Sequence, residues 1–478
     1  MSTKFLASLV SFIIYQIYFH PLSGIPGPRL AAVTNLPYSR SYLGGRQPWD
    51  ILKLHEKYGP VVRISPNDIS FNSARSWHDI YGVRKGRSNC FTKSDFYDGG
   101  NFAAEAHSIV SERDPAKHRQ MRKFLARAFS ESSLREQEAL IGETIDHFVQ
   151  RVGKEGVADL THWFNLLTFD IIGKLAFGTD FQGIASGQTH SLIDDILGSM
   201  SQASLSDTWK RFPVIGKIWM LFNSRWAAQL VAAATRHQKY TVDLTAKRIN
   251  EQTYRKDFMS YLLRDRAEIS DIQLAAHASD FVIAGSETTA TTLAVVFYHL
   301  CRNPSVKKQL EHEILSSFGA YEDINATSAS ALKYLHAVCL EALRMFPPLP
   351  LSLPREVPSP GEMVEGFFLP AGTIVATSPY AASMSPNNFD RPDDFLPERW
   401  LTGEPTDILE ASRPFSYGPR ACLGRALAWV EMNLTICRLV HKYEFAMSNT
   451  DLDWNKKSKM QLLWKKPKML VKLTKRRN

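Results

Sequence analysis

Cysteine is scarce in this chain: five residues in 478, at positions 90, 301, 339, 422 and 437. No two of them stand in CxxC spacing. That excludes a disulfide framework and a multi-cysteine zinc site, and it suits free thiols in a reducing compartment. A glycine-rich phosphate loop ahead of a helix is missing too, and with it a flavin or nicotinamide domain. Zinc-finger and RNA-binding signatures are lacking, so no nucleic-acid partner is expected. The apolar run from Phe5 to Phe19 falls short of the roughly 20 residues that comfortably span a bilayer. What is present is enough apolar material for a sizeable core, 44% hydrophobic and 11% aromatic, under a net charge of +9. A basic surface suits an acidic protein or an anionic membrane.

The chain is organised around Phe415-Ser-Tyr-Gly-Pro-Arg-Ala-Cys-Leu-Gly-Arg425. Gly418 and Gly424 flank Cys422, and glycine serves tight turns and close approach to a flat ligand. An apolar, helix-forming segment follows to Val440. Cys422 therefore sits at a helix N-terminus, where unpaired N–H groups and the dipole favour an anion. A thiol placed there ionises more readily and becomes a soft metal ligand, with Arg420 and Arg425 adding positive charge. A buried free cysteine in a turn is the commoner fate of the residue. The spacing Phe415, Gly418, Arg420, Cys422, Gly424 points elsewhere: it resembles the haem-binding loop of the cytochromes P450.

That resemblance implies a mainly α fold with a small β-rich region around a buried haem b (iron protoporphyrin IX), ligated by the Cys422 thiolate. Arg420, Phe415, Gly418 and Gly424 are the loop residues that would hold it. The implied activity is a monooxygenase that uses O2 to hydroxylate or epoxidise a lipophilic small molecule. Electrons would come from NADPH through a separate membrane-bound NADPH–cytochrome P450 reductase, with Arg119, Lys123, Arg127 and Arg425 as basic docking residues. An O2-independent haem-thiolate isomerase or dehydratase, or a non-catalytic lipophile carrier, is the alternative.

The expected organisation is an anchor over residues 1–22, a Pro/Gly-rich hinge over 23–47 and a catalytic domain over 48–478. An uncleaved anchor followed by Pro26-Gly-Pro28 is similar to the microsomal members and implies a cytosolic domain on the endoplasmic reticulum membrane. Together with Tyr58-Gly-Pro-Val-Val-Arg-Ile-Ser-Pro-Asn67, it resembles fungal enzymes of secondary metabolism near the isotrichodermin-hydroxylase-like group.

Taken in order, Pro48–Tyr58 and Ala74–Tyr81 read as short helices. Between them, Val61–Ser65 and Asp68–Phe71 read as a hairpin turning at Ser65-Pro-Asn-Asp68. Residues 88–114 are irregular and aromatic-rich, as a ligand lid would be. A basic helix follows Asp114 and places His118 and Arg122 on one face. Buried propionates need paired donors; the resembled family often has Trp-x-x-x-Arg here, this chain has His118-x-x-x-Arg122, which keeps a ring N–H donor, and Arg355 is a third candidate. Residues 182–224, with Met200, Trp209, Phe212, Trp219, Met220 and Phe222, suit a mobile apolar roof.

Ser270-Asp-Ile-Gln273 reads as a capping box opening a long helix to about Arg302. Inside it, Ala284-Gly-Ser-Glu-Thr-Thr289 is poor mid-helix material, and a buried glutamate is costly unless paired. Such local rule-breaking marks a functional site. Gly285 would leave room for a diatomic ligand, and Glu287 with Thr288 matches the family's acid–alcohol pair for proton relay. Glu341-Ala-Leu-Arg344 alone is an ordinary helix ion pair. With Arg399 in Pro397-Glu-Arg-Trp400 it resembles the family's Glu–Arg–Arg brace, although Trp400 stands where phenylalanine is usual. Gly366–Gly372 and Thr373–Thr377 read as a hairpin, and the tail 462–477 as strands ending basic.

Overall fold

The computed structural model describes residues 3–83, 90–100, 102, 106–190, 195, 198, 204–251, 257–264, 269–402 and 406–477. Helices dominate, and the strands form four small sheets. The centre is the helix Asp271–Arg302, packed most extensively on the helix Leu160–Phe177. Leu160–Phe177 is apolar nearly all round, as a helix enclosed on every side must be. The Ser270 hydroxyl accepts from Gln273 N at 3.3 Å, which starts the long helix. The reciprocal half of the capping box is not made: the Gln273 side chain donates instead to His107 O.

The strands are β1 (Val61–Arg63), β2 (Asp68–Phe71), β3 (Thr92–Lys93), β4 (Val157–Asp159), β5 (Arg355–Glu356), β6 (Gly361–Val364), β7 (Phe367–Pro370), β8 (Ile374–Thr377), β9 (Tyr443–Met447), β10 (Lys459–Gln461), β11 (Leu463–Lys465) and β12 (Leu470–Lys475). The largest sheet has the order β1-β2-β8-β5-β3. The expected β1–β2 hairpin is present. The expected hairpin over 366–377 is not. β7 pairs back with β6, and β8 leaves to run parallel to β2, Asp68 facing Ile374. Buried on both sides at Val375 and Ala376, β8 gains more by joining the main sheet than by a local turn.

The N-terminal helix Thr3–Ile14 and its continuation to Phe19 bury no side chain, and Phe5, Leu6, Leu9, Val10, Phe12 and Phe19 are exposed. The segment beyond is no free hinge. Leu22 and Ile25 sit in a core with Val61, Ile69 and Trp77. The Arg63 guanidinium donates to Gln16 O at 3.0 Å, Gln16 Oε1 at 3.1 Å and Pro66 O at 2.8 Å, and lies 3.2 Å from His20 Nδ1. Among the described residues only Asp271–Arg302 has the length and hydropathy to cross a membrane, and that helix is mostly buried as the core of the fold.

The brace expected from Glu341, Arg344 and Arg399 is assembled. Glu341, fully buried, accepts from Arg344 Nη2 at 2.8 Å, Arg399 Nε at 3.1 Å and Leu396 N at 3.0 Å. Trp400 earns its place by donating its indole N–H to Glu341 Oε2 at 2.9 Å, a bond phenylalanine could not make. Asp407 pairs with Arg399 as a fourth member that spacing did not reveal. Burial pushes the Glu341 carboxyl up, but Arg344 and Arg399 outweigh it and hold its pKa below the usual value. Replacing Arg399 with Ala leaves two buried carboxylates short of a partner, a loss of about 3–5 kcal/mol. The expected result is a lower melting temperature by circular dichroism; an unchanged melt would remove the network from the stability of the fold.

Candidate active site

A cavity of about 340 Å³ opens between the central helix, the helix Arg425–Lys442 and the cysteine loop. The loop is closed by its own backbone. Cys422 N donates to Phe415 O at 2.9 Å, and Ala421 N donates to Gly418 O at 3.0 Å. Gly418 has φ +74, and a Cβ there would fall 2.0 Å from Tyr81 O, so only glycine fits. Gly418 itself does not line the cavity; its part is to shape the turn. Phe415, Arg420, Cys422 and Gly424 do line it. Cys422 is open to the cavity while protein encloses it. Burial raises the thiol pKa; the Gly424 N–H, Arg122 and Arg425 oppose that and favour the thiolate. Desolvation thus outweighs the easy ionisation expected of a helix N-terminus.

One rim of the cavity is strongly basic. Arg122 Nη1 donates to Ala421 O at 2.6 Å, tying the helix Pro115–Leu125 to the loop. Arg420 donates to Glu112 O at 3.0 Å and Arg113 O at 2.9 Å. Arg355, on β5, donates to Tyr97 Oη and Pro354 O, both at 3.0 Å. His118 is buried on the same rim. Lys93 completes it: its ammonium donates to Ile109 O at 2.9 Å and Val110 O at 2.6 Å. Burial, then the neighbouring Arg420, lowers Lys93 to about 6 and His118 to about 3. Lys93 and Tyr97 lay inside the stretch read only as a lid, where a single lysine carries no pattern.

These cations spend their donors on carbonyls and a phenol. They crowd one another with no carboxylate among those partners, an arrangement that fits a bound dianion. Together with a lone cysteine on the adjoining wall and apolar surfaces from Phe129, Ile172, Phe281, Leu343 and Leu349, the donor set fits an iron porphyrin with two propionates.

On the central helix, Thr288, Thr289 and Thr292 line the cavity, and Thr288 Oγ1 donates to Ala284 O at 2.7 Å. Glu287 does not line it. Its carboxylate is buried in an ion pair with Lys466, which also reaches Thr291 Oγ1 at 3.1 Å and Asn165 Oδ1 at 3.2 Å. The expected acid–alcohol pair is therefore split: the alcohol faces the pocket and the acid is sealed behind the helix. Gly285 lines the cavity, but a Cβ there would meet Ile172 Cδ1 at 2.9 Å, so close helix packing accounts for the missing side chain. None of Trp209, Phe212, Trp219, Met220 and Phe222 from the expected roof reaches this cavity, and Met200 lies outside the described residues. Two acids unremarked in the sequence do line it, Asp280 and Glu431.

The cytochrome P450 family model matches residues 25–473. Cytochrome P450 monooxygenase ORF11 of Penicillium roqueforti is 49% identical over 460 residues, covering 94% of this chain and 96% of that protein. Cytochrome P450 monooxygenase BipB of Cochliobolus sativus is 41% identical over 475 residues, covering 96% and 93%. The crystal structure of the cytochrome P450DA heme domain superposes with a TM-score of 0.79 over 95% of this chain and 98% of that one, at 18% identity, and so supports the fold alone. Fold, cysteine loop and full-length relatives agree, and this chain belongs to the cytochrome P450 family, as a monooxygenase of the oxidoreductase class.

Proposed function

We propose that the protein hydroxylates or epoxidises a lipophilic small molecule, with haem b ligated by Cys422 and electrons drawn from NADPH through a separate reductase. The observation that carries this reading is the placement of Cys422 and Thr288 on one apolar cavity with a basic rim. Haem, when bound, supplies oxygen activation, which a thiolate ligand promotes. The chain's own residues do the rest. Lys93, His118, Arg122, Arg355 and Arg420 hold the propionates, Phe281, Leu349 and Leu353 exclude water from the substrate, and the Thr288 hydroxyl holds a proton at the cavity wall. A fungal secondary-metabolite intermediate is the substrate class this reading takes, supported by the fungal monooxygenases the chain is similar to.

The N-terminal helix is read as the anchor to the endoplasmic reticulum membrane. Its bare apolar surface supports this, as do the exposed Val214, Ile215, Ile218, Leu221 and Phe222 on the helix Pro213–Phe222. Arg119, Lys123, Arg127 and Arg425 are exposed near the cysteine loop, and they are read as the reductase-facing charge.

Cys422→Ala is expected to abolish the reduced carbon-monoxide absorption of the purified protein; a variant that kept it would overturn the ligand assignment. The rim predicts a pH effect. Lys93 has its pKa lowered from 10.5 to about 6, and His118 from 6.5 to about 3. The unfolded chain therefore binds more protons across both windows, and stability rises with pH through each. Haem-depleted protein should gain thermal stability from pH 3 to 6.5 and again from pH 6 to 10.5. Haem loading should flatten this dependence, because the propionates return both groups toward their ordinary values; melting curves of the two forms across pH check it. Reductase-supported oxygen consumption should fall as salt rises past the Debye screening regime of about 0.1 M. A flat salt response would point to a different docking mode.

A further inference from the structure

Asp280 lines the cavity a little over two turns before Thr288 on the central helix, and with Ala284 between them the three share one face. By helical rise the two polar positions stand about 12 Å apart along the wall. Beside Asp280 the wall is apolar, built from Phe281, Ile109 and Val110. The carboxyl is open to the cavity while protein encloses it. Its Oδ2 accepts from Val110 N at 3.1 Å, and the Ser108 hydroxyl adjoins it. That loop contact does not call for a carboxylate. One turn earlier, His277 takes the neighbouring amide, Ile109 N, at 3.3 Å, and it is a fully buried ring whose pKa burial lowers to about 4. An uncharged acceptor thus suffices to pin the loop to the helix. Burial raises the Asp280 pKa to about 6, against the Ser108 and Val110 hydrogen bonds and the more distant Lys93. Asp280 is therefore largely ionised at neutral pH, and a carboxylate has more acceptor sites than those two donors fill. A carboxylate kept at such a cost in an apolar wall needs a reason.

We propose that Asp280 is a substrate-recognition residue: it accepts a hydrogen bond from a hydroxyl group on an otherwise apolar substrate, and so fixes which carbon reaches the Thr288 end of the cavity. This rests on the monooxygenase reading above. A hydroxyl suits the position better than an ammonium, because the Lys93 ammonium already bears on the carboxylate from the rim. A carboxylate on the substrate is disfavoured there by like charge. A hydrogen bond to an ionised acceptor is roughly twice as strong as a neutral one, so the hydroxyl serves as a handle that orients the molecule. The separation of the two polar positions places the reacting carbon on the order of 10 Å from that handle. It also places the enzyme in a sequence of reactions. The step that supplies its substrate must install a hydroxyl, either by an earlier oxygenation or by reduction of a carbonyl.

The test uses the full-length haem-loaded protein and Asp280→Asn, which keeps an acceptor for Val110 N and removes the charge. The probes are decane, 1-decanol and the decyltrimethylammonium ion, and binding is read by titration calorimetry and by the spin-state change in the haem spectrum. In the wild type 1-decanol should bind about tenfold more tightly than decane. The variant should lose most of that margin while its decane affinity and melting temperature stay unchanged. With NADPH and reductase, the wild type should oxidise 1-decanol toward the end remote from the hydroxyl, and the variant should scatter its products along the chain. Equal affinity for decane and 1-decanol in the wild type would overturn the proposal. So would a variant that weakens both probes alike, since that is what a carboxyl serving only to hold Val110 gives. Tighter, Asp280-dependent binding of the decyltrimethylammonium ion would overturn it as well, by making charge and not a hydroxyl the feature recognised. A wild-type protein lacking the reduced carbon-monoxide absorption would instead bring down the monooxygenase reading and this proposal with it.

Discussion

Two buried cations, Lys93 and Arg355, two half-buried ones, Arg122 and Arg420, and a histidine crowd one edge of a pocket where, among the described residues, their hydrogen bonds go to carbonyls and a phenol. Lys93 and His118 are held far below their ordinary pKa by burial first and by that crowding second. A fold tolerates such an arrangement only if a counter-charge arrives, because each unpaired cation in a low dielectric costs several kcal/mol. The rest of the architecture serves this edge. β3 and β5 pair side by side and deliver Lys93 and Arg355, Pro115–Leu125 delivers His118 and Arg122, and the cysteine loop delivers Arg420. The molecule is built around a guest, and folding and guest binding draw on the same free energy.

The central helix shows how closely one element can separate two environments. Thr288 and Glu287 are neighbours in sequence, yet successive helical residues point about 100° apart. One hydroxyl meets the pocket, and one carboxylate meets Lys466 on the opposite side. The pairing with Lys466 also explains why the tail must fold back: β12 pairs with β4 and β9, and the lysine just before it closes over the glutamate. A polar Gly-Ser-Glu-Thr-Thr run is tolerated mid-helix because Glu287 is paired with Lys466 and the hydroxyls turn back onto the helix itself. The hydroxyls of Ser286, Thr288 and Thr291 each bond back to the carbonyl four residues earlier.

Much of this was legible before any coordinates, and for one reason: local spacing carries local geometry. The cysteine loop, the Asp114 cap of the basic helix, the long helix with its stop at Asn303-Pro304, and the Glu341–Arg344–Arg399 brace are each written in short motifs. What the sequence concealed is remote encounter. β8 carries the marks of a hairpin strand, and nothing near it names β2 as its partner. Lys93, Lys466, Asp407 and Glu431 are single ionisable residues in undistinguished surroundings. Their meaning comes wholly from what the fold places opposite them. Gly285 stands out in the sequence, but an absent side chain reads the same whether it clears space for a ligand or for Ile172.

The Arg63 guanidinium has a consequence for how the two ends of the first fifty residues behave. Three of its contacts come from Gln16 and His20, so the apolar leading helix is bolted to the edge of the main sheet and cannot swivel on a slack tether. A version trimmed to begin past His20 would leave that edge with a half-satisfied arginine, its remaining contacts falling mainly to Pro66 O.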